Sequence, residues 1–417
     1  MTARSTEKIN PAILVWARES AGLNVSDAAK KLALNDSKHQ TGSQKLLLLE
    51  TGERLPTRSQ LSKISKAYHR PLVSFYMTHP PKRGPRGKDF RSTSALRSAQ
   101  EDAQLDVLLR DVQARQEMVK GILDDLGEGR RREFIGSATL DDDTQKLAKT
   151  ICTILSIPTT RTEWASNADA FFKRLRAAVE AIGVFVLLAG DLGSHHSAID
   201  EDVFRGFALA DLVAPFIVIN EHDAKTARSF TLVHELVHLF LGETGVSGTP
   251  ELRPGDSAME RLEAFCNDVA SHVLLPSDFA TIKPDLGASI DMALSYVDKI
   301  AKRFLVSQPL VAFRLGRLGW VTEAQYRGLF DIFKTRRSLL DVKTRAENNE
   351  KESGPSYYVV KQYCLGDALV GVVQRTVREN LLTHTKAARV LGVKATSVET
   401  LLRRFETRGA ALLEARR

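Results

Sequence analysis

His234-Glu235-Leu236-Val237-His238 sits inside SFTLVHELVHLFLG, a stretch that is otherwise almost wholly apolar. Such a run reads as a buried helix. On a helix, positions i and i+4 share a face, so both imidazoles point the same way and Glu235 stands beside whatever they hold. Two neutral imidazoles at this spacing suit zinc. The carboxylate suits a general base that activates water beside the ion. The pattern is short, so its surroundings decide its meaning.

One helix supplies two ligands, and a catalytic zinc needs three with one open position. The third should come from another element. MERLEAFCNDVASHVLLP is the best source: it reads as a helix, with Leu262, Phe265, Val269, Val273 and Leu274 along one side and Pro276 ending it. Glu263 lies among these apolar neighbours, and a carboxylate there needs a partner to offset its desolvation. Glu260, one turn earlier, competes for the role. His272 is a further possible ligand two turns on. A carboxylate near a helix start also serves as a cap, which is the structural alternative for Glu263.

RSFTLVHELVHLFLG followed by LEAFCNDVASHVLLP resembles the ImmA/IrrE family of zinc metallo-endopeptidases, as does the upstream RGFALADLVAPFIVIN, read as a strand pair leading into the active-site helix. The resemblance implies a His, His, Glu metal site of His234, His238 and Glu263, with Glu235 as the catalytic base. It implies Zn2+; Mn2+ or Fe2+ would also suit these ligand types. An oxyanion donor is expected, with His272, Arg205 and Arg228 as candidates. The strands Phe216 to Asn220 and Phe204 to Ala210 are candidates to pair with an extended substrate.

The first eighty residues read as short helices: Pro11 to Ser20, a second capped by Asn24 or Ser26, then a polar interruption, NDSKHQTGSQ, before KLLLLETGERLPTRSQ resumes. Ala28-Ala29, Leu49-Glu50-Thr51-Gly52 and Pro56-Thr57 resemble the XRE-type helix-turn-helix of phage repressors, with a longer insertion before the third helix and Leu49 where Trp is frequent. That resemblance implies DNA contacts from Lys38, His39, Gln40, Thr41, Ser43, Gln44 and Lys45. The alternative is a set of ordinary solvated polar residues. A net charge of +8 over 417 residues fits nucleic-acid contact without requiring it.

PPKRGPRGKDFRS follows as a basic linker; its Asp89-Phe90-Arg91 also occurs in proteins that join the two modules. From Thr93 to about Leu126 a long amphipathic helix is expected, through Leu105, Leu108, Leu109, Val112 and Val119. AIGVFVLLAG reads as a strand. His195 and His196 lie in a loop, where adjacent side chains rarely share an ion. YVDKIAKRFLVSQPLVAFRLGRLGW gives two helices jointed at Ser307. The segment from Tyr357 starts strand-like, then HTKAARVLGVKATSVETLLRRFE reads as helix, glycine turn, helix: a cap on the peptidase or a second DNA-facing element.

The expected fold is therefore mainly α with a small β-sheet (α+β). Its parts are a helix-turn-helix domain over 1–79, the linker at 80–92, a zincin-like metallopeptidase domain over 93–345, and a helical region over 346–417. Cys152, Cys266 and Cys364 show no paired spacing, which suits a reducing compartment. The polar first residues carry no signal-peptide core, and no apolar run reaches membrane-span length. The expectation is a cytoplasmic regulatory zinc protease, with a protein regulator as substrate, DNA as a partner and a homodimer as one possible state. A transcription regulator or antitoxin-like protein that uses the peptidase fold as a sensor is the competing reading.

Overall fold

The computed structural model describes residues 9–81, 88–89, 98–192, 198–247, 257–276, 279, 283–286, 289–349, 354 and 356–414. Contacts divide the chain into two units: Met1–Arg86 with Thr93–Val112 and Asp191–Ile199, and Gly87–Ser92 with Gln113–Gly190 and Asp200–Arg417.

The first unit begins with α1 (Pro11–Glu19), where Pro11 stands at the helix start and Asn10 caps by accepting from Ala12 N. α2 (Val25–Lys31) is capped by Asn24. The polar interruption ends earlier than its composition suggests. α3 (Gly42–Glu50) already starts inside it, because Thr41 and Gln44 form a reciprocal capping box. A Cβ at Gly42 would fall 1.9 Å from the Leu34 carbonyl oxygen, so only glycine fits there. α4 (Arg58–Ala67) is opened by Thr57 and Gln60 in the same manner, and a 3-10 turn, Leu72–Tyr76, follows Pro71. Ile13, Leu14, Leu46, Leu49, Leu61, Ile64, Tyr68 and Phe75 close the core. Within it, the Arg18 guanidinium donates to both Glu50 carboxylate oxygens (2.8 and 3.1 Å) and to the Leu23 carbonyl.

The second unit holds β1 (Lys88–Asp89), so Asp89 of the linker triplet is strand while Phe90 and Arg91 lie outside the described residues. α5 (Ala99–Asp125) contributes residues to both units and begins after the expected Thr93, which is itself outside the described residues. α6 (Thr144–Ile154), α7 (Ala168–Ala181), β2 (Phe185–Leu188), β3 (Gly206–Leu209), β4 (Phe216–Ile219), α8 (Arg228–Phe240), β5 (Gly245–Ser247) and α9 (Ala258–Leu274) follow. The strands form one mixed sheet in the order β1-β5-β3-β4-β2. β2 runs parallel to β4 and β1 parallel to β5; β3 is antiparallel to β4 and β5, with Phe207 opposite both Val218 and Val246. Every residue of β2, β3 and β4 is buried, hence their unbroken apolar runs. α8 packs on β3 and β4, α9 on α8, and α6 on α9.

α10 (Ile290–Phe304) and α11 (Gln308–Arg317) meet where Leu305 turns left-handed and Ser307 caps α11. α12 (Glu323–Asn349) packs on both. The segment from Tyr357 is a helix, α13 (Tyr357–Leu365), which corrects the strand-like reading. Its run of aromatic and β-branched residues is compatible with either state. Packing on β2 decides for the helix, with Gln362 and Leu365 buried one turn apart. α14 (Asp367–Arg378) lies on α7 and β2, and Arg176 of α7 donates to the carbonyls of Tyr363 and Cys364. α15 (His384–Leu391) and α16 (Ala395–Glu414) complete the chain. The architecture is α+β, mainly helical. Among the described residues no helix is long and apolar enough to cross a membrane.

Candidate metal centre

α8 is fixed before its first ionisable residue. Arg228 donates to the carbonyls of Glu221 and Asp223, and Thr231 donates to the Asp223 carboxylate at 3.1 Å. The helix is then buried along almost its whole length, His234, Glu235 and His238 included. No exposed face receives these three polar groups, so they meet one another inside the protein.

The His234 and His238 Nε2 atoms are 3.1 Å apart. Glu263, from α9, brings one carboxylate oxygen to 3.3 Å from His234 Nε2 and the other to 3.0 Å from His238 Nε2. Among the described residues these three form a group able to hold a metal ion. The spacing itself tests the fit. Ligands about 2.0–2.1 Å from a tetrahedral zinc stand roughly 3.3 Å from each other. The imidazole nitrogens, 3.1 Å apart, and their contacts of 3.3 and 3.0 Å to the two Glu263 oxygens are close to that spacing, and one donor atom from each residue lies within 4.8 Å of the others.

The electrostatics are those of imidazoles and a carboxylate that hold one another. Burial favours a neutral Glu263, yet the two imidazoles outweigh it and hold its carboxyl down at about 2. Burial also lowers His234, but Glu263 and Glu235 carry it above its ordinary value; for His238 burial prevails and its value falls. Glu235 is fully buried, and neither of its carboxylate oxygens meets hydrogen-bond geometry with any described group. Burial, opposed by His234 and by the Ser247 hydroxyl and reinforced by Glu263, pushes it up to about 8. A Cβ at Gly206 would lie 2.9 Å from a Glu235 oxygen, so the glycine of β3 makes room for the carboxylate.

Glu260, the competitor, is exposed and forms a capping box with Ser257 at the start of α9. His272 stands apart from the cluster: Arg314 lies 2.9 Å from its Nδ1, and burial together with Arg314 lowers it to about 4. Of the oxyanion candidates, Arg228 is engaged with main-chain carbonyls, and Arg205 faces Asp223 at 3.7 Å. Substrate pairing on β3 or β4 is corrected by the sheet, since each already has a strand on both edges. His195 and His196 lie outside the described residues.

Two neighbours had escaped the sequence reading. Ser247 of β5 places its Oγ 3.3 Å from His238 Nε2. Asn267 is buried on α9 one turn beyond Glu263 and favours the charged form of His234. The i+4 spacing from Glu263 was the available signal for Asn267. A three-residue strand offered none for Ser247.

In the first unit, Lys38 and His39 are exposed, and Gln40 and Ser43 are half-buried. Thr41 and Gln44 cap α3, and Lys45 Nζ donates to the Asn35 carbonyl. These residues share one segment but do not converge on a site.

Residues 181–316, which contain the sheet strands β2 to β5 and helices α8 and α9, match the family model described as IrrE N-terminal-like domain. That stretch is thus similar to a metallopeptidase domain of zincin-like fold. Comparisons with curated proteins and with solved structures found no match.

Proposed function

We propose that the chain is a zinc metallo-endopeptidase that cuts a specific protein partner, with His234, His238 and Glu263 as metal ligands and Glu235 as general base. One observation carries this reading: two imidazoles of α8 and the carboxylate of Glu263 on α9 meet at contacts of 3.0–3.3 Å, beside the fully buried carboxylate of Glu235. Two imidazoles and one carboxylate are a donor set that suits zinc. An ion held there supplies Lewis acidity, lowering the pKa of a water and polarising a carbonyl.

The protein's own part is proton handling and exclusion of water. Glu235 accepts a proton at a carboxylate oxygen from the attacking water and delivers it to the leaving amine nitrogen. Burial favours the protonated form of Glu235, and a cation held by His234, His238 and Glu263 would favour the carboxylate that accepts the proton. Gly206 lets the carboxylate sit against β3, and the apolar wall of α8 keeps bulk water away. The N-terminal unit is the docking module of this reading. With Lys38 and His39 exposed, it holds the enzyme on DNA and raises its concentration near a DNA-associated regulator.

The test uses the Glu235→Gln protein as a trap. It should retain one zinc per chain and capture the partner. The wild type should then cut the captured protein, and the variant should do so slower by about 10²–10⁴-fold. Equal cutting by both proteins would remove Glu235 from the mechanism. Loss of zinc in the variant would make it a ligand instead.

A further inference from the structure

The peptidase reading leaves α15 and α16 without a role. The C-terminal elements that lie on the sheet and α7 are α13 and α14, whereas α15 and α16 pack on those two helices and on each other. Thr383 caps α15 by accepting from Lys386 N, and Ala387, Ala388, Val390 and Leu391 are buried. Gly392 ends the helix at φ 59°, where a side chain would also meet the Arg115 guanidinium at 2.4 Å. α16 resumes at Ala395 and buries Val398, Leu401 and Leu402. A short helix, a glycine turn over residues 392–394 and a longer helix packed on it have the element order of a helix-turn-helix.

The opposite face is polar and basic. Lys386, Arg389, Lys394, Thr396, Thr400, Arg403 and Arg404 are exposed. The acids on this face are already engaged: Glu399 with Arg403 and His384, and Glu406 with Arg378. Lys386, Arg389, Lys394 and Arg404 have no acidic partner among the described residues. No large apolar side chain of residues 384–407 is exposed, which disfavours a membrane surface.

We infer that α15 and α16 form a second DNA-binding element, reading double-stranded DNA with the N-terminal part of α16 in the major groove. Thr396, Thr400 and Arg403 recur at i, i+4 and i+7, forming one stripe suited to base edges. Lys386 and Arg389 on α15, with Lys394 and Arg404, flank that stripe and meet phosphates. The N-terminal pair differs: residues 32–41 separate α2 from α3, too many for the tight turn of this geometry.

The experiment measures the full-length protein on a fluorescent duplex of random sequence by anisotropy across a salt series. Combined Lys386→Ala, Arg389→Ala, Lys394→Ala and Arg404→Ala should weaken binding at least about tenfold near 0.15 M salt. They should also flatten the log–log salt slope by about 3–4, at ~0.9 per phosphate contact. The same substitutions should leave zinc content and the melting temperature unchanged, because all four side chains are exposed. Thr396→Ala with Thr400→Ala should keep the salt slope but lose preference for a selected duplex over a scrambled one. Lys38→Ala with Lys45→Ala reports the N-terminal share. The inference is overturned if the wild type does not bind duplex, or if the fourfold variant binds like the wild type. It is equally overturned if only the N-terminal variant loses binding, or if these residues bind anionic vesicles and not DNA.

Discussion

α8 and residues 38–45 both carry polar side chains that invite a functional reading, and the fold treats them in opposite ways. In α8, His234, Glu235 and His238 are buried in an otherwise largely apolar helix. They find one another and Glu263. Around residues 38–45, local backbone groups take up the polar atoms: Thr41 and Gln44 cap α3, Gly42 N donates to Asp36, and Lys45 donates to Asn35. A buried ionisable group must have a purpose that offsets its desolvation, while an exposed one is satisfied by the nearest turn or by water. Residue identity therefore carries more functional information inside the protein than on its surface.

The largest effect should come from breaking the buried side of this contrast. Glu263→Ala removes one donor of the three proposed. Sharing out the roughly 10–16 kcal/mol of a structural zinc site gives a loss on the order of a thousandfold in zinc affinity. Competition with a chelating dye would measure it, and peptidase activity should disappear with the metal. Glu260→Ala is the matched control one turn earlier. It removes the exposed N3 member of the capping box and should leave zinc affinity alone. If the two substitutions weakened zinc equally, the distinction between buried ligand and exposed cap would fail.

A buried polar residue in the first unit makes the same point without a metal. Glu50 belongs to the stretch that resembles a repressor module, and its side chain is only 4% exposed beside Arg18. Hydrogen bonding to Glu50 raises the Arg18 pKa against the pull of burial. Glu50→Ala would leave the enclosed guanidinium with only the exposed Glu19, 3.8 Å away, as counter-charge, and breaking such a buried pair costs about 3–5 kcal/mol. Urea denaturation followed through Trp16 should show this loss, with zinc affinity unchanged. A loss below ~1 kcal/mol would place Glu50 with the exposed polar residues.

The sequence disclosed most where one element had a single way to be satisfied. The α8 trio in an apolar helix, Glu263 among apolar neighbours on α9, and the continuous runs of β2 and β4 each fall into that class. β5 was hidden because three residues, Gly245–Ser247, show no alternation; with it went the place of Ser247 beside His238. Tyr357–Leu365 misled because its β-branched and aromatic run suits both states, and only contact with β2 selects the helix. The start of α3 was obscured by its polar first turn. Its signals were a capping pair and a glycine whose need lies in the distant Leu34 carbonyl, a tertiary fact.

The smallest effect sharpens the exposed side of the contrast. Thr41 is a helix cap in the structure and a DNA contact in the sequence reading, and the two roles separate under substitution. Thr41→Ala removes the acceptor for Gln44 N and leaves the first turn of α3 open, which should lower stability by about 1 kcal/mol. Thr41→Ser keeps the oxygen and should restore most of that loss. Lys38→Ala, on an exposed side chain that caps nothing, should stay within about 0.5 kcal/mol of the wild type. On duplex DNA the order should reverse, with Lys38→Ala the more damaging if this segment docks on phosphates. A Thr41→Ala protein as stable as the wild type but weaker on DNA would move Thr41 from the cap to the interface, and the exposed segment would then prove as informative as the buried one.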